Sequence, residues 1–417
     1  MSFKGYLRTF LLGFGFFGVS VIWSIYNAYV PVFLKDSFGR TAAFIGFFMT
    51  LDNIASLFIQ PLVGAWSDRL RTPIGRRMPF IVIGAPLAAV AFLTLPLATS
   101  LPLFFFAAVL LLLSMAIWRT PVVALMPDIT PSRHRSVGNG IINLMGGLGA
   151  IIAFLGGAKL YEMNHNYPFL LGAVLVVVAA VLVFIFIREP KVIEPTVQEE
   201  KPDLLKSIHA ILQDPDKSTL RILLAIFFWF ISYNGIEAFF TLYGINHLGL
   251  TVSDGSRLLG QLSVPFVLFA LPAGYIGQWA GRRRTIMAGI TLMAFGIAAM
   301  YLLPPATLTR LVFTLPALGK VPVVGCILMG IGAAWALINI NSLPMVVDTT
   351  DNSRIGTFTG LYYLFSTLAA ILGPILYGLI IQLSGEVYGL IMLVSPLFLI
   401  AAFVLMAGVR RGEAKPA

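Results

Sequence analysis

The chain has 417 residues, of which 58% are hydrophobic and 11% charged, with a mean hydropathy of +0.91. A soluble chain carries about 25% charged residues, so this composition excludes an ordinary set of water-soluble domains. The formal net charge of +10 does not point to nucleic acid, because the cations sit in short clusters between long apolar runs.

A membrane-spanning helix needs about 20 mostly apolar residues. Twelve such runs follow one another: 9–34, 41–66, 79–99, 101–127, 136–160, 167–187, 219–246, 255–280, 284–303, 321–348, 354–383 and 387–409. They are long and continuous, which argues for helices rather than the short alternating strands of a membrane barrel. No small-residue cleavage site follows the first run, so it is read as a retained helix. Segment 188–218 is the longest polar stretch and reads as a linker between an N-terminal bundle (1–187) and a C-terminal bundle (219–417).

Short loops on one side carry Lys4, Arg8, Arg69, Arg71, Arg76, Arg77, Arg133, Arg135, Arg282, Arg283, Arg284, Arg354, Arg410 and Arg411. The other side carries little beyond Lys35, Arg40, Arg257, Arg310 and Lys320. The positive-inside rule makes the first side cytoplasmic, with both termini inside a cell (inner or plasma) membrane.

The two halves echo each other. An offset of 220 places Asp128 on Asp348, Gly140 on Gly360 and Arg119 on Asn339; an offset of 210 places Gly39 on Gly249, Gly64 on Gly274 and Asn27 on Glu237. Parallel repeats of this kind build carriers whose substrate site lies near mid-membrane.

The most specific stretch runs Gln60-Pro61-Leu62-Val63-Gly64-Ala65-Trp66-Ser67-Asp68-Arg69, then Gly75-Arg76-Arg77-Met78-Pro79-Phe80-Ile81. Gly64 permits close helix approach, and Asp68 at a helix end can pair with a neighbouring cation. Such pairs can latch one conformation and release another. The second-half copy, Gly274 through Arg284, has Gln278 in place of the aspartate. The 60–81 string resembles the major facilitator superfamily, and within it the sucrose–proton symporter family and its animal and bacterial relatives. There the loop reads Q-P-L-V-G-x-x-S-D-R followed by G-R-R-x-P-F-I. The related glycoside–pentoside–hexuronide cation symporters also have an expanded loop, but place acidic residues where this chain has Ser56 and Gln60. Ala124-Leu125-Met126-Pro127-Asp128 through Arg135 resembles a second element of the sucrose family. Plant members carry an arginine where this chain has Val123, and a coupling aspartate in the fourth span that is absent here. The resemblance is strongest over residues 26–190.

The resemblance implies a major facilitator fold with twelve transmembrane helices in two pseudo-symmetric six-helix bundles, and spans 1, 4, 7 and 10 lining the substrate cavity. The polar and aromatic residues on those spans are the expected substrate contacts: Asn27, Arg119, Asn234, Glu237, Asn339 and Asn341, with Tyr26, Trp118 and Trp335, and with Trp23 and Tyr233 alongside. Amides and charges can bond sugar hydroxyls, and rings can stack on C–H faces. Ionisable groups at membrane depth default to functional roles, and a carboxyl group there can take a proton on one side and release it on the other. Asp52 and Glu237 are the expected proton carriers. The expected gating residues are Asp68, Arg69, Arg76, Arg77, Asp128, Arg135, Arg282, Asp348 and Arg354. The expected activity is proton-coupled symport of a sugar, a disaccharide such as sucrose or maltose, by a monomer in a lipid bilayer. A proton-coupled exporter of drugs or metabolites and a non-transporting sensor are the alternatives. Cys326 is the single cysteine, the four histidines show no metal-ligand spacing, and no nucleotide-binding loop occurs. No metal, no cofactor and no enzymatic chemistry are therefore expected.

Overall fold

The computed structural model describes residues 3–130, 135–189, 204–350 and 354–413. In chain order these form α1 (Phe3–Asp36), α2 (Ala42–Phe48), α3 (Leu51–Arg69), α4 (Met78–Thr94), α5 (Leu101–Ile129) and α6 (Arg135–Ile151). A π turn (Ile152–Gly156), α7 (Gly157–Met163), α8 (Tyr167–Phe186), α9 (Leu204–Gln213), α10 (Ser218–Asn246), α11 (Val252–Ala280) and α12 (Arg282–Leu302) follow. The chain continues through α13 (Pro305–Leu308), β1 (Leu311–Leu315), β2 (Gly319–Pro322), α14 (Val323–Val347), α15 (Ile355–Leu383) and α16 (Leu390–Ala407).

Helix prevails because a backbone in lipid must satisfy its own donors and acceptors. Among the described residues, eleven helices are long and apolar enough to cross a membrane, counting α2 with α3 and α6 with α7. The remaining expected span, α4, has 17 residues, about 26 Å at the helical rise, slightly short of a hydrocarbon core of about 30 Å.

Three local expectations change. The run 41–66 is not one unbroken helix. It breaks at Met49–Thr50, where the Thr50 hydroxyl donates to the Phe47 carbonyl at 2.7 Å. The run 136–160 contains the π turn; its Phe154 carbonyl, which also takes the Gly157 N–H, accepts the Ser256 hydroxyl at 2.9 Å. Beyond this turn a column of rings builds up, Tyr29 on Tyr161 at 4.9 Å and Tyr161 on His165 at 4.6 Å. The loop expected after residue 303 holds α13 and the β1–β2 hairpin.

The described residues fall into two compact units. One takes in Met1–Arg40, Leu51–Glu194 and Thr251–Gly260; the other takes in Thr41–Thr50, Pro195–Leu250 and Gln261–Ala417. In the first, α1 packs on α6 and α8, and α4 packs on α5 and α8. In the second, α10 packs on α15 and α16, and α12 packs on α14 and α16. The neighbour pattern is the same in both, as a sequence repeat requires. Close approach falls at matching crossings. A Cβ on Gly149 would lie 2.5 Å from the Phe17 carbonyl, and one on Gly373 would lie 2.8 Å from that of Ile231. Both helix pairs come together there because neither glycine has a side chain to hold them apart.

Candidate transport site and its charged ends

In the first unit, Trp23 of α1, Asp52, Ala55, Ser56 and Gln60 of α3, and Leu112, Met115, Ala116 and Arg119 of α5 line one small pocket. Helical spacing explains the assembly. Asp52, Ser56 and Gln60 recur every four residues, so they share one face of α3, and Leu112, Ala116 and Arg119 do the same on α5. The Asn53 amide donates to Asp52 Oδ1 at 2.8 Å, and Gln60 Nε2 donates to Ser56 Oγ at 2.9 Å. The Arg119 charge acts on Asp52. Asp52 and Arg119, two of the three charges singled out within apolar runs, thus line one small pocket together.

The aromatic residues expected beside them are placed differently from one another. Trp23 lies on the pocket wall and meets Tyr26 edge-on at 5.6 Å. Tyr26 and Trp118 are buried; Trp23 Nε1, the Tyr26 hydroxyl and Trp118 Nε1 are enclosed without a hydrogen-bond partner. Asn27 is half-buried on α1, one turn beyond Trp23. Asn53, Ser56 and Gln60 were not among the expected contacts. Their signal in the sequence is the four-residue recurrence of polar groups after Asp52.

The second unit offers a more aromatic set. Tyr233 stacks on Trp335 with centroids 4.1 Å apart and planes 6° apart, and Phe230 meets Trp335 edge-on at 5.3 Å. Asn234 donates to the Phe230 carbonyl on its own helix at 2.8 Å. Glu237 lies within electrostatic reach of Tyr233. Asn339 is half-buried on α14. Asn341 departs from the expectation of a substrate contact: it is 3% exposed, and its amide donates to Ala273 O at 3.0 Å and Leu337 O at 2.9 Å. One bond ties α14 to α11 and the other stays within α14, with Gly277 directly against the side chain.

The arginine-rich end of the first unit is a closed network. Arg77 donates from Nε to Asp128 at 2.7 Å, from Nη2 to Asp68 at 2.7 Å and from Nη1 to Ser67 at 2.8 Å. Arg76 reaches Asp128 at 2.9 Å and Asp68 at 3.7 Å. Glu189, just past α8, accepts the backbone N–H groups of Arg76, Arg77 and Met78 at 2.9, 2.8 and 2.8 Å. A carboxylate at a helix N-terminus satisfies orphan donors and complements the dipole, so Glu189 caps α4.

The second unit repeats the device with fewer charges. Arg282 pairs with Asp348 and donates to the Pro344 carbonyl at 3.2 Å. Glu413 accepts the N–H groups of Arg282 and Arg283 at 2.6 and 3.1 Å, capping α12 as Glu189 caps α4. Gln278, at the place of Asp68, takes no part in these ion pairs. Sequence reasoning missed both capping glutamates. Their signal is a glutamate placed just after the last span of each half. Of the other expected gating residues, Arg69 is exposed and Arg354 lies over the Phe358 ring at 5.7 Å. The Arg135 side chain, with Arg133 and His134, lies outside the described residues, as does 190–203 of the linker.

Compared with known families, the chain matches the Major Facilitator Superfamily over residues 12–343 and 262–417. It is 22% identical over 378 residues to the tetracycline resistance protein, class H, of Pasteurella multocida, covering 88% of this chain and 86% of that one. It is 25% identical over 304 residues to the isoprimeverose transporter of Lactiplantibacillus pentosus, covering 67% of this chain and 61% of the other. Among solved structures, it is similar to a bacterial homologue of the human lysosomal transporter Spinster, with a TM-score of 0.74, 13% identity and complete coverage of both chains.

Proposed function

We propose a specific transport activity on the premise that the chain belongs to the Major Facilitator Superfamily, which a match over both halves establishes. It is a multi-pass membrane transporter of small molecules. On our reading it is a proton-coupled sugar symporter of the sucrose-symporter type, carrying a disaccharide such as sucrose or maltose. It works as a monomer in the cell membrane with its arginine-rich ends and both termini in the cytoplasm. Residues 1–187 and 219–417 form the two bundles and 188–218 the linker.

The observation that carries this reading is the grouping of Asp52 and Arg119 in one pocket with Ser56 and Gln60, with Asn53 bonded to the Asp52 carboxylate. Hydroxyls and amides suit a neutral polyol, and an ionisable carboxyl group facing a pocket within a membrane span is a natural proton carrier. With Asp52 ionised, its charge and that of Arg119 offset each other; with Asp52 protonated, the Arg119 guanidinium turns toward a sugar oxygen. Glu237 is the matching acid in the other half, where Tyr233 and Trp335 give apolar ring surface and Asn234 and Asn339 add amide donors; Asn27 adds one in the first half. Asp68, Arg76, Arg77 and Asp128, with Arg282 and Asp348, act as latches that hold one conformation.

A second reading is export of a drug or metabolite against protons. It is favoured by the likeness to the tetracycline resistance protein over 88% of this chain. Purified protein in proteoliposomes, given a panel of sugars under imposed pH or sodium gradients, separates the two. Sugar-dependent proton uptake supports symport; substrate-independent dye efflux supports export. Asp52→Asn and Glu237→Gln test the carriers, and a wild-type pH response in both variants would end that assignment.

A further inference from the structure

The hairpin between α12 and α14 presents an apolar strand that the transport reading does not use. All five residues of β1 are exposed, Leu311 by 52% and Val312 by 54%. The hairpin is not a loose loop. Leu308, Leu318 and Val321 are buried beneath it. The buried Gln261 donates from Nε2 to the Leu318 and Lys320 carbonyls at 3.1 and 2.8 Å, and Val323 N donates to Arg310 O at 3.0 Å. A rigidly held strand showing Leu311, Val312, Phe313 and Leu315 to its surroundings calls for a partner.

Chain connection places it. α12 runs 21 residues from Arg282, about 31 Å at the helical rise, so Leu302 ends at the opposite membrane face. β2 runs directly into α14. The hairpin therefore lies at the boundary of the bilayer, past an α12 whose Phe295 and Leu302 are 72% and 76% exposed. From 303 to 322 there is no Asp or Glu, while Arg310 and Lys320 flank the strand. The outer edge of β1 carries backbone groups that hydrocarbon could not satisfy, so the strand cannot sink into the acyl core. Only the layer of headgroups and upper acyl chains accommodates both the apolar side chains and the open edge. Pairing with a second copy is disfavoured, because the register shift between Leu311 and Phe313 interrupts an edge and like charges would meet.

We propose that the β1–β2 hairpin is an interfacial foot that rests in the lipid headgroup layer. Leu311, Phe313 and Leu315 dip among the upper acyl chains, and Arg310 and Lys320 meet lipid phosphates.

The single cysteine, Cys326, makes a labelling test direct. In a Cys326→Ser background, nitroxide labels are placed at Phe313→Cys and Leu315→Cys in full-length protein in liposomes. Phe295→Cys serves as the lipid-facing reference and Asn164→Cys as the water-facing one. Collision with oxygen and with a water-soluble nickel chelate is measured in phosphatidylcholine with and without phosphatidylglycerol. The foot predicts nickel accessibility at both hairpin sites severalfold below the Asn164 reference. It also predicts a further fall with phosphatidylglycerol that Arg310→Glu with Lys320→Glu abolishes. Nickel accessibility equal to the Asn164 reference at both sites overturns the proposal. So does dipolar broadening between labels on two copies, which would make the strand a self-association edge. An unchanged Phe295 signal in each preparation reports that the protein is folded.

Discussion

Arg77 points its Nε at Asp128 across 2.7 Å, and both side chains are largely withdrawn from solvent. A buried pair broken on one side leaves an uncompensated charge, which costs about 3 kcal/mol or more. Arg77→Met and Asp128→Asn should therefore each lower the thermal unfolding midpoint of the purified transporter. Because both act on one network, the double variant should lose less than the sum. A strictly additive double variant would mean that the two side chains do not work as a pair.

Glu189 and Glu413 do equivalent work from unequal positions. Glu189 holds three backbone N–H groups and Glu413 holds two. Glutamine in either place keeps one acceptor and loses the charge that favours a helix start, an effect of about 1 kcal/mol. Amide exchange should quicken at 76–78 in Glu189→Gln and at 282–283 in Glu413→Gln, each without disturbing the other segment. Exchange that rises equally at both segments in one variant would refute the local cap.

Asn341 separates packing from binding. Asn341→Ala leaves the Ala273 carbonyl without its side-chain donor, at about 1 kcal/mol. Stability should fall while the transport KM stays near wild type. Asn339→Ala should behave in the opposite sense if the half-buried Asn339 touches substrate. Transport kinetics set beside thermal denaturation distinguish the two.

The start of α10 carries an acid-sensitive clasp. Asp216 accepts Ser218 N at 2.9 Å and Ser218 Oγ at 2.6 Å, and Arg411 Nε reaches it at 2.7 Å. The bonds from Ser218, then the nearby Arg411 and Arg410 charges, hold the Asp216 carboxyl below its ordinary value. A depressed folded value gives stability that is present above the unfolded pKa and is lost as pH falls through the folded one. Exchange at 216–221 and at Arg410 and Arg411 should thus rise only under strongly acidic conditions. Asp216→Asn should remove that pH dependence.

The helices were legible because twenty-residue apolar runs leave the backbone little choice. The paired ion clusters were foreshadowed by the repeat that sets Asp128 against Asp348. Other features depend on contacts far apart in sequence. Glu189 looks like one more charge of a polar linker until α4 is seen to begin against it. Asn341 is the same residue type as Asn339, two positions earlier, and differs in being buried and bonded to Ala273. Residues 303–322 carry the marks of a loop, being short, proline-bearing and without alternation. The strands there are set by Gln261, more than forty residues upstream.

The π turn at Ile152–Gly156 makes helix length as important as side-chain identity. One extra residue in a turn rotates everything after it by about 100° relative to an uninterrupted α-helix. Tyr161 meets Tyr29 at that shifted angle, and His165 follows it onto the column. Removing a single residue from 152–156 would swing Tyr161 off Tyr29, carrying His165 with it, and move the carbonyl that Ser256 reaches. Conservative swaps along the same five positions would leave the alignment intact. Homologous chains should therefore tolerate varied letters here but not a gap.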